Sequence, residues 1–340
     1  MIPEESVMYM RAAVLTAFGT PLTVVDMPVP APGPGEVLVQ VMASAVNPLD
    51  TKVRRGQAAH AQTTPPAVPG IDTAGVVVSV GEDVDRFHPG DEVFGMTGGV
   101  GGIQGSLAEY IAVDSRLLAP KPRTLSMRQA AALPLAFITA WEALVDHAAV
   151  RQGQQVLVHG GAGGVGNIAV QLATSRGATV YATGSAASQA AIAAAGATAI
   201  DYTATPVADY VDTHTGGRGF DVVFDTVGGA TLDDSFHAVK AVTGRVVSAL
   251  GWGSHSLAPL SFRNATYSGV FTLSPLLTGQ RREHHGEVLR AAKLLAESGL
   301  LTPRLDERAY TLADVDDAYD AVENRTATGK VVIDVGCAAH

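Results

Sequence analysis

Gly161-Ala162-Gly163-Gly164-Val165-Gly166 is the segment whose residue types and spacing most directly imply a chemistry. It fits G-x-G-x-x-G, follows the apolar run 155–159 and opens a stretch of helical character, 164–176. In that strand–turn–helix context the pattern binds the pyrophosphate of a dinucleotide. Gly161 allows the tight turn, Gly163 lets backbone N–H groups approach the phosphates, and Gly166 lets the helix pack on its strand. The unsatisfied N–H groups and the positive end of the helix dipole favour the dianion. A glycine-rich structural turn is the alternative reading.

Roughly 20 residues into such a unit, an NAD site places Asp or Glu on the ribose hydroxyl. Here the stretch reads Ala182-Thr-Gly-Ser-Ala-Ala-Ser188, with no acid. Gly184, Ser185 and Ser188 are the candidates for the ribose end, and nothing there repels a 2′-phosphate. NADPH is favoured over NADH. No Arg or Lys grips the phosphate in this stretch. Tyr202, just after the next strand, either offers a hydroxyl there or closes the edge of the core.

The elements that must position this loop are legible in outline. From residue 11 to 113, short β-type runs (11–15, 22–26, 37–41, 74–80, 91–94 and 107–113) alternate with Gly/Pro punctuation such as Pro30-Ala-Pro-Gly-Pro-Gly35. Pro fixes φ and Gly takes φ > 0, so these are turns, and many short strands between turns suggest a compact β barrel or sandwich. Residues 1–9 read as a loose tail, with Met10 an alternative start. Residues 129–145 are Ala/Leu-rich and helical in character, with a break or kink expected at Pro134. Strand-like runs 155–159, 179–183, 199–201, 220–225, 245–250 and 267–272 then alternate with helical stretches at 164–176, 188–195 and 231–241. Near-continuous apolar strands separated by helices imply a parallel sheet covered on both faces. Helices near 287–297 and 312–324 and a final strand, 330–335, complete the chain.

Composition bounds the rest. With 340 residues the chain holds about two domains. Hydrophobic residues make up 47% and charged ones 16%, which excludes intrinsic disorder. Thirty-three acids against 23 bases give a net charge of −10, so no general nucleic-acid surface is expected. The single cysteine, Cys337, cannot form an intrachain disulfide or a thiolate zinc cage. No apolar run approaches the ~20 residues that span a bilayer, and the acidic start is unlike a secretory signal. A cytoplasmic protein is expected. The ten histidines show no His-Glu-x-x-His spacing, and His284-His285 beside Arg281-Arg282 reads as a solvated face.

Four segments together resemble a family: Ala45-Val-Asn-Pro-Leu-Asp-Thr-Lys52, Pro69-Gly-Ile-Asp-Thr-Ala-Gly75, Phe87-His-Pro-Gly-Asp-Glu-Val93 and Val158-His-Gly-Gly-Ala-Gly-Gly-Val-Gly166. The chain is similar to zinc-free medium-chain dehydrogenases/reductases of the zeta-crystallin-like quinone oxidoreductase branch. The resemblance implies an α/β protein, a GroES-like β-barrel domain beside a Rossmann doubly wound parallel sheet, with NADPH in the cleft. Residues 1–134 then begin the catalytic domain, 135–273 form the NADP-binding domain, and 274–340 return to complete the first. The positions aligned with the catalytic zinc ligands of alcohol dehydrogenases are Asn47, Ile71 and Leu135, and no zinc is expected.

The same resemblance nominates site residues. Asn47 faces the nicotinamide and orients substrate or cofactor. Lys52 stands where some members have tyrosine and donates to an oxyanion, or is an ordinary exposed base. Only five of the 23 basic residues are lysines, so lysine there is not the default choice. Thr139 contacts the nicotinamide end, or bonds its own helix backbone. Leu250-Gly251 and the segment from Phe271 to Leu273 meet the carboxamide, and Lys330 lies on a late loop near the cofactor. Trp252 and His255 line a pocket mouth or sit on the surface. Tyr267, Val270 and Phe271 fall at the sheet edge, which in the family pairs with its copy, so a homodimer is expected.

Without a bound Lewis acid, hydride donation to a quinone or to the β-carbon of an enone fits best, with protein donors stabilising the acceptor oxygen. Two alternatives stand. One is an enoyl-thioester reductase, with Arg54 and Arg55 as a basic rim. The other is an NADPH-binding structural or regulatory protein with little turnover.

Overall fold

A computed structural model describes residues 7–336. The tail expected over residues 1–9 therefore lies mostly outside the described residues, as does Cys337; Tyr9 is already in a strand. The chain divides into two compact units: residues 1–135, 273–298 and 303–340, and residues 136–272 with 299–302.

The first unit opens with β1 (Tyr9–Val14) and β2 (Thr23–Pro28), an antiparallel pair. Next come β3 (Glu36–Val46), α1 (Pro48–Arg54), β4 (Asp72–Val80), β5 (Glu92–Met96), β6 (Tyr110–Asp114) and β7 (Leu118–Pro120). β3 buries eight of its eleven residues, Val37, Val39 and Val41 among them, and leaves Glu36, Gln40 and Met42 half-buried on the other face. The helical stretch expected over 129–145 is broken. α2 (Met127–Ala131) stops short of Pro134, which takes the first position of α3 (Pro134–Trp141), and 142–147 continue in wide π turns. Proline lacks the N–H that an interior position must donate, so it starts a helix here.

The second unit is a six-stranded parallel sheet. In chain order it holds β8 (Gln155–His159), α4 (Gly164–Ser175), β9 (Thr179–Gly184), α5 (Gln189–Ala194), β10 (Thr198–Asp201), α6 (Val207–Thr215), β11 (Val222–Asp225), α7 (Ala230–Ala238), β12 (Arg245–Ser248), α8 (Ala258–Arg263) and β13 (Thr266–Gly269). Strand order is β10-β9-β8-β11-β12-β13. This is the 3-2-1-4-5-6 order of doubly wound dinucleotide-binding sheets, in which ligands meet the carboxyl ends of the strands. One face buries Leu157, Val223 and Val246 against Leu232 and Phe236 of α7 and Tyr210 of α6. The strand expected over 267–272 ends at Gly269, after which the chain turns.

α9 (Ser274–Thr278), α10 (Arg282–Glu297), β14 (Tyr310–Thr311), α11 (Val315–Glu323) and β15 (Val331–Asp334) return to the first unit. β15 pairs antiparallel with β3, giving the order β14-β15-β3-β4-β5-β7 with β6 on the far part of β3. The solvated face expected at His284-His285 is corrected by α10. His285 lies on the helix's inward stripe and is fully buried.

Candidate active site

In the second unit the strand–loop–helix turn is built by glycines at close quarters. The residue with positive φ is Gly160 (φ +76), one position before the hexapeptide, rather than Gly161. A Cβ on Gly161 would come within 2.5 Å of Ala182 Cβ, and one on Gly166 within 2.1 Å of the Gly160 carbonyl oxygen. Those glycines hold strand and helix together. Gly163 differs: a Cβ there meets only the Gly160 oxygen, at 3.2 Å. Gly163 and Gly164 are exposed, and Ala162 and Val165 are half-buried. Gly163 is the N-cap of the 12-residue α4, and no side chain caps it. The first-turn N–H groups are thus left for an anion, which fits a dinucleotide diphosphate.

β9 ends at buried Gly184, whose carbonyl accepts from Tyr202 N at 3.3 Å and Gln189 Nε2 at 3.1 Å. Ser188 Oγ donates to the Ser185 carbonyl at 2.9 Å and lies 3.3 Å from Ser185 Oγ. The Tyr202 side chain is 61% exposed, so it stands beside this loop rather than closing the core. Leu250 is half-buried and Gly251 exposed, the latter tight under the Tyr267 hydroxyl. Phe271 meets Trp252 edge-on at 6.3 Å. His255 Nδ1 bonds Asp233 at 2.9 Å, and that bond raises its pKa. Thr139 is buried on α3 of the same unit. Leu273 belongs to the other unit.

The first unit holds a buried charged cluster. Asn47 caps α1, Pro48 takes the first helical position, and Asp50 accepts the Asn47 N–H at 2.7 Å. This local grammar turns the Asn47 side chain inward, where Nδ2 donates to Asp72 Oδ2 at 2.9 Å and Oδ1 accepts from Lys330 Nζ. Asp72 Oδ1 accepts from Leu135 N at 2.8 Å, and Lys330 Nζ lies 3.7 Å from Asp72 Oδ2. Asn47, Asp50 and Asp72 are all at most 2% exposed, and Lys330 is 8% exposed. Burial pushes the Asp50 carboxyl up to about 7, with the Asp72 charge adding to it and the Asn47 N–H opposing it. Burial also raises Asp72 and lowers Lys330, while their mutual attraction opposes both shifts. Tyr319 lies close enough to feel the Asp50 charge, and its buried hydroxyl has no hydrogen-bond partner.

Of the nominated residues, this cluster gathers Asn47 and Lys330 and leaves out Lys52. Lys52 is exposed on α1, between the buried Thr51 and Val53. Partial burial and the Lys52 charge together lower the pKa of His60. Arg54 is no open basic rim. Asp316, Asp320 and Glu323 surround its guanidinium, which also lies over the Tyr319 ring. Arg55 pairs with Glu323 as well. Asp50 and Asp72 are the site residues that sequence reasoning passed over. Their signals were an acid three positions after an Asn-Pro start, and a lone acid opening an apolar strand.

The three positions aligned with zinc ligands do not fit that metal. Ile71 and Leu135 have no donor side chain, and the one ligand atom, Asn47 Oδ1, already accepts from an ammonium. Among the described residues no three His, Cys, Asp or Glu side chains gather to hold a metal ion. No helix among them is long and apolar enough to cross a membrane.

Residues 33–123 match the alcohol dehydrogenase GroES-like domain, and residues 195–333 match the family described as zinc-binding dehydrogenase. The chain is 39% identical over 308 residues to a 2-methylene-furan-3-one reductase of Solanum lycopersicum, covering 88% of this chain and 71% of the relative. It is 38% identical over 306 residues to an NADPH-dependent alkenal/one oxidoreductase, chloroplastic, of Arabidopsis thaliana, covering 88% and 72%. Its fold superposes at a TM-score of 0.94, with 53% identity, on the crystal structure of an alcohol dehydrogenase superfamily protein from Novosphingobium aromaticivorans, covering 96% of this chain and all of that one.

Proposed function

The chain belongs to the medium-chain dehydrogenase/reductase family, and from that premise we propose that it is an NADPH-dependent reductase of enones and quinones that works without metal. The observation that carries the reading is the uncapped N-terminus of α4 behind its glycine loop, followed by a ribose end without acid. The backbone N–H groups of Gly164 and Val165, in the first turn of α4, hold the diphosphate, while that of Gly163 closes the loop onto the Gly160 carbonyl. Ser185 and Tyr202 offer hydroxyls to the 2′-phosphate.

NADPH, when bound, supplies the hydride. The protein must then orient the acceptor and stabilise the negative charge that appears on its oxygen. Asn47 has committed one amide N–H and one oxygen lone pair inside the cluster, so its orientation is fixed and a single N–H remains to present. Lys52 keeps an exposed ammonium, and its Nζ is the proton donor we assign to the enolate or quinol oxygen.

Stopped-flow NADPH oxidation against enones, quinones and enoyl-CoA esters tests the reading. Turnover of enones or quinones, lost in Lys52→Ala, is expected. Preference for enoyl-CoA esters would instead make the protein an enoyl-thioester reductase. Inertness with retained NADPH binding would make it a binding protein.

Two further assignments belong to this reading. β13 ends the sheet, and Tyr267, Phe271 and Phe262 stay exposed on its side of the unit, Phe262 at 88%. The strand itself is Thr-Tyr-Ser-Gly and Val270 beyond it is buried, so what calls for cover is an open backbone edge with exposed rings on α8 and past the strand, and we assign that cover to a second copy of the chain. Monomers alone in light scattering at micromolar protein would refute the dimer. A single cysteine suits a reducing compartment, which supports a cytoplasmic location.

A further inference from the structure

At the carboxyl ends of the central strands, His159 of β8, Asp225 of β11 and Ser248 of β12 stand in one register row. Side chains in one row of a parallel sheet share a face, so these three project together above the apolar layer of Leu157, Val223 and Val246. Each is at most 3% exposed. A buried carboxylate needs compensation. His159 does not provide it: burial pushes its imidazole down to about 4, and its Nδ1 lies 3.2 Å from Thr183 Oγ1.

Asp225 is held by dipoles from two loops instead. Oδ1 accepts the backbone N–H of Val227 at 3.0 Å and of Gly228 at 2.9 Å, both in the loop after β11. Oδ2 accepts from Ser248 Oγ at 2.7 Å, and Ser248 Oγ in turn accepts from Leu250 N at 3.0 Å, in the loop after β12. The two loops also touch. Gly228 has φ +77, and a Cβ on it would lie 2.7 Å from the Leu250 carbonyl oxygen. Thr226 Oγ1 donates to the His159 carbonyl at 2.6 Å, which ties the same loop to the strand that feeds the glycine turn.

We propose that Asp225 is a positioning residue for the coenzyme site, fixing through one carboxylate the shapes of loops 226–229 and 249–251. The functional half of the proposal rests on the reductase reading, in which the second loop meets the nicotinamide carboxamide. Two oxygens receiving three donors require an acid here. Asparagine would offer one acceptor oxygen and turn an N–H₂ group toward the Ser248 hydroxyl.

Hydrogen–deuterium exchange on the full chain without coenzyme, paired with NADPH titration by fluorescence, tests both halves. In Asp225→Asn, peptides over 249–251 are expected to exchange about tenfold faster, the effect of losing the buried bond from Ser248, and those over 226–229 to exchange faster by less, since the remaining oxygen still accepts from Val227 and Gly228 but without its charge. In Ser248→Ala only 249–251 should loosen, and loop 160–163 should be unchanged in both. NADPH Kd should rise about tenfold in each, and Ser248→Thr should restore exchange and affinity. Should Asp225→Asn not fold, Ser248→Ala decides. Wild-type exchange in the loops of a folded variant would overturn the bracket. Faster exchange with unchanged NADPH Kd would overturn its role at the coenzyme. Failure of the wild type to bind NADPH would strike the reductase reading, while exchange would still judge the bracket.

Discussion

Lys330 Nζ donates to Asn47 Oδ1 across 283 positions of chain. Through that bond a residue at the foot of the last strand sets the orientation of an amide at the mouth of α1. The same ammonium faces two buried carboxylates, Asp72 and Asp50.

Removing it should therefore cost more than one hydrogen bond. Lys330→Met leaves buried acids without their cation, and breaking a buried pair from one side costs about 3–5 kcal/mol. Urea unfolding should show that loss. Adding Asp72→Asn should recover part of it, because the uncompensated charge is gone. A double variant whose loss is the sum of the two singles would deny the coupling.

Asp50 gives the first unit a pH dependence. Its carboxyl, raised to about 7, binds a proton more tightly folded than unfolded. Stability from this group is complete below the unfolded value near 4, falls as pH rises toward 7, and is level above that. Asp50→Asn should remove this slope. Melting temperatures compared between pH 5 and 8 should show the wild type declining against the variant by several degrees. Parallel curves would rule the assignment out.

Gly163→Val should spare the fold and damage the coenzyme site. At φ −71 the backbone accepts a side chain, and only the Gly160 oxygen lies nearby. The added methyls would project where the diphosphate approaches. NADPH affinity should drop by about a hundredfold or more, as expected when charge-assisted hydrogen bonds to a phosphate are broken. The unfolding midpoint should stay nearly unchanged.

Ser185→Asp should turn coenzyme preference toward NADH. A carboxylate at the end of β9 would repel a 2′-phosphate and accept from a 2′-hydroxyl. The ratio of kcat/KM for NADPH over NADH should fall by about tenfold. A ratio that does not move would take Ser185 away from the ribose.

The strands of the parallel sheet and the glycine turn were legible because local signals repeat there: apolar runs of strand length, turn residues between them, and a helix opening on glycine. Short helices were harder. α1 has seven residues and reads as a strand connection until Asn47, Pro48 and Asp50 are recognised as a cap, a first-turn proline and its reciprocal acid. The buried cluster was beyond reach of local pattern. Lys330 and Asn47 meet only because β15 pairs with β3, and no periodicity announces a partner so distant. Lys52 was marked by its type and motif position, and its exposure on α1 between the buried Thr51 and Val53 is what the structure adds.

The pairing of β15 with β3 also bears on how this protein is made. A ribosome delivers β3, Asp50 and Asp72 early, and the middle sheet, contiguous in the chain, has all six strands in hand well before the end of translation. The first lobe must wait. Its sheet lacks a strand, and its acids lack their counter-ion, until position 330 leaves the exit tunnel. A chain stopped short of position 330 would carry a second unit with its sheet complete and a first unit without β15 and Lys330, and such a product is one that chaperones and proteases would sort.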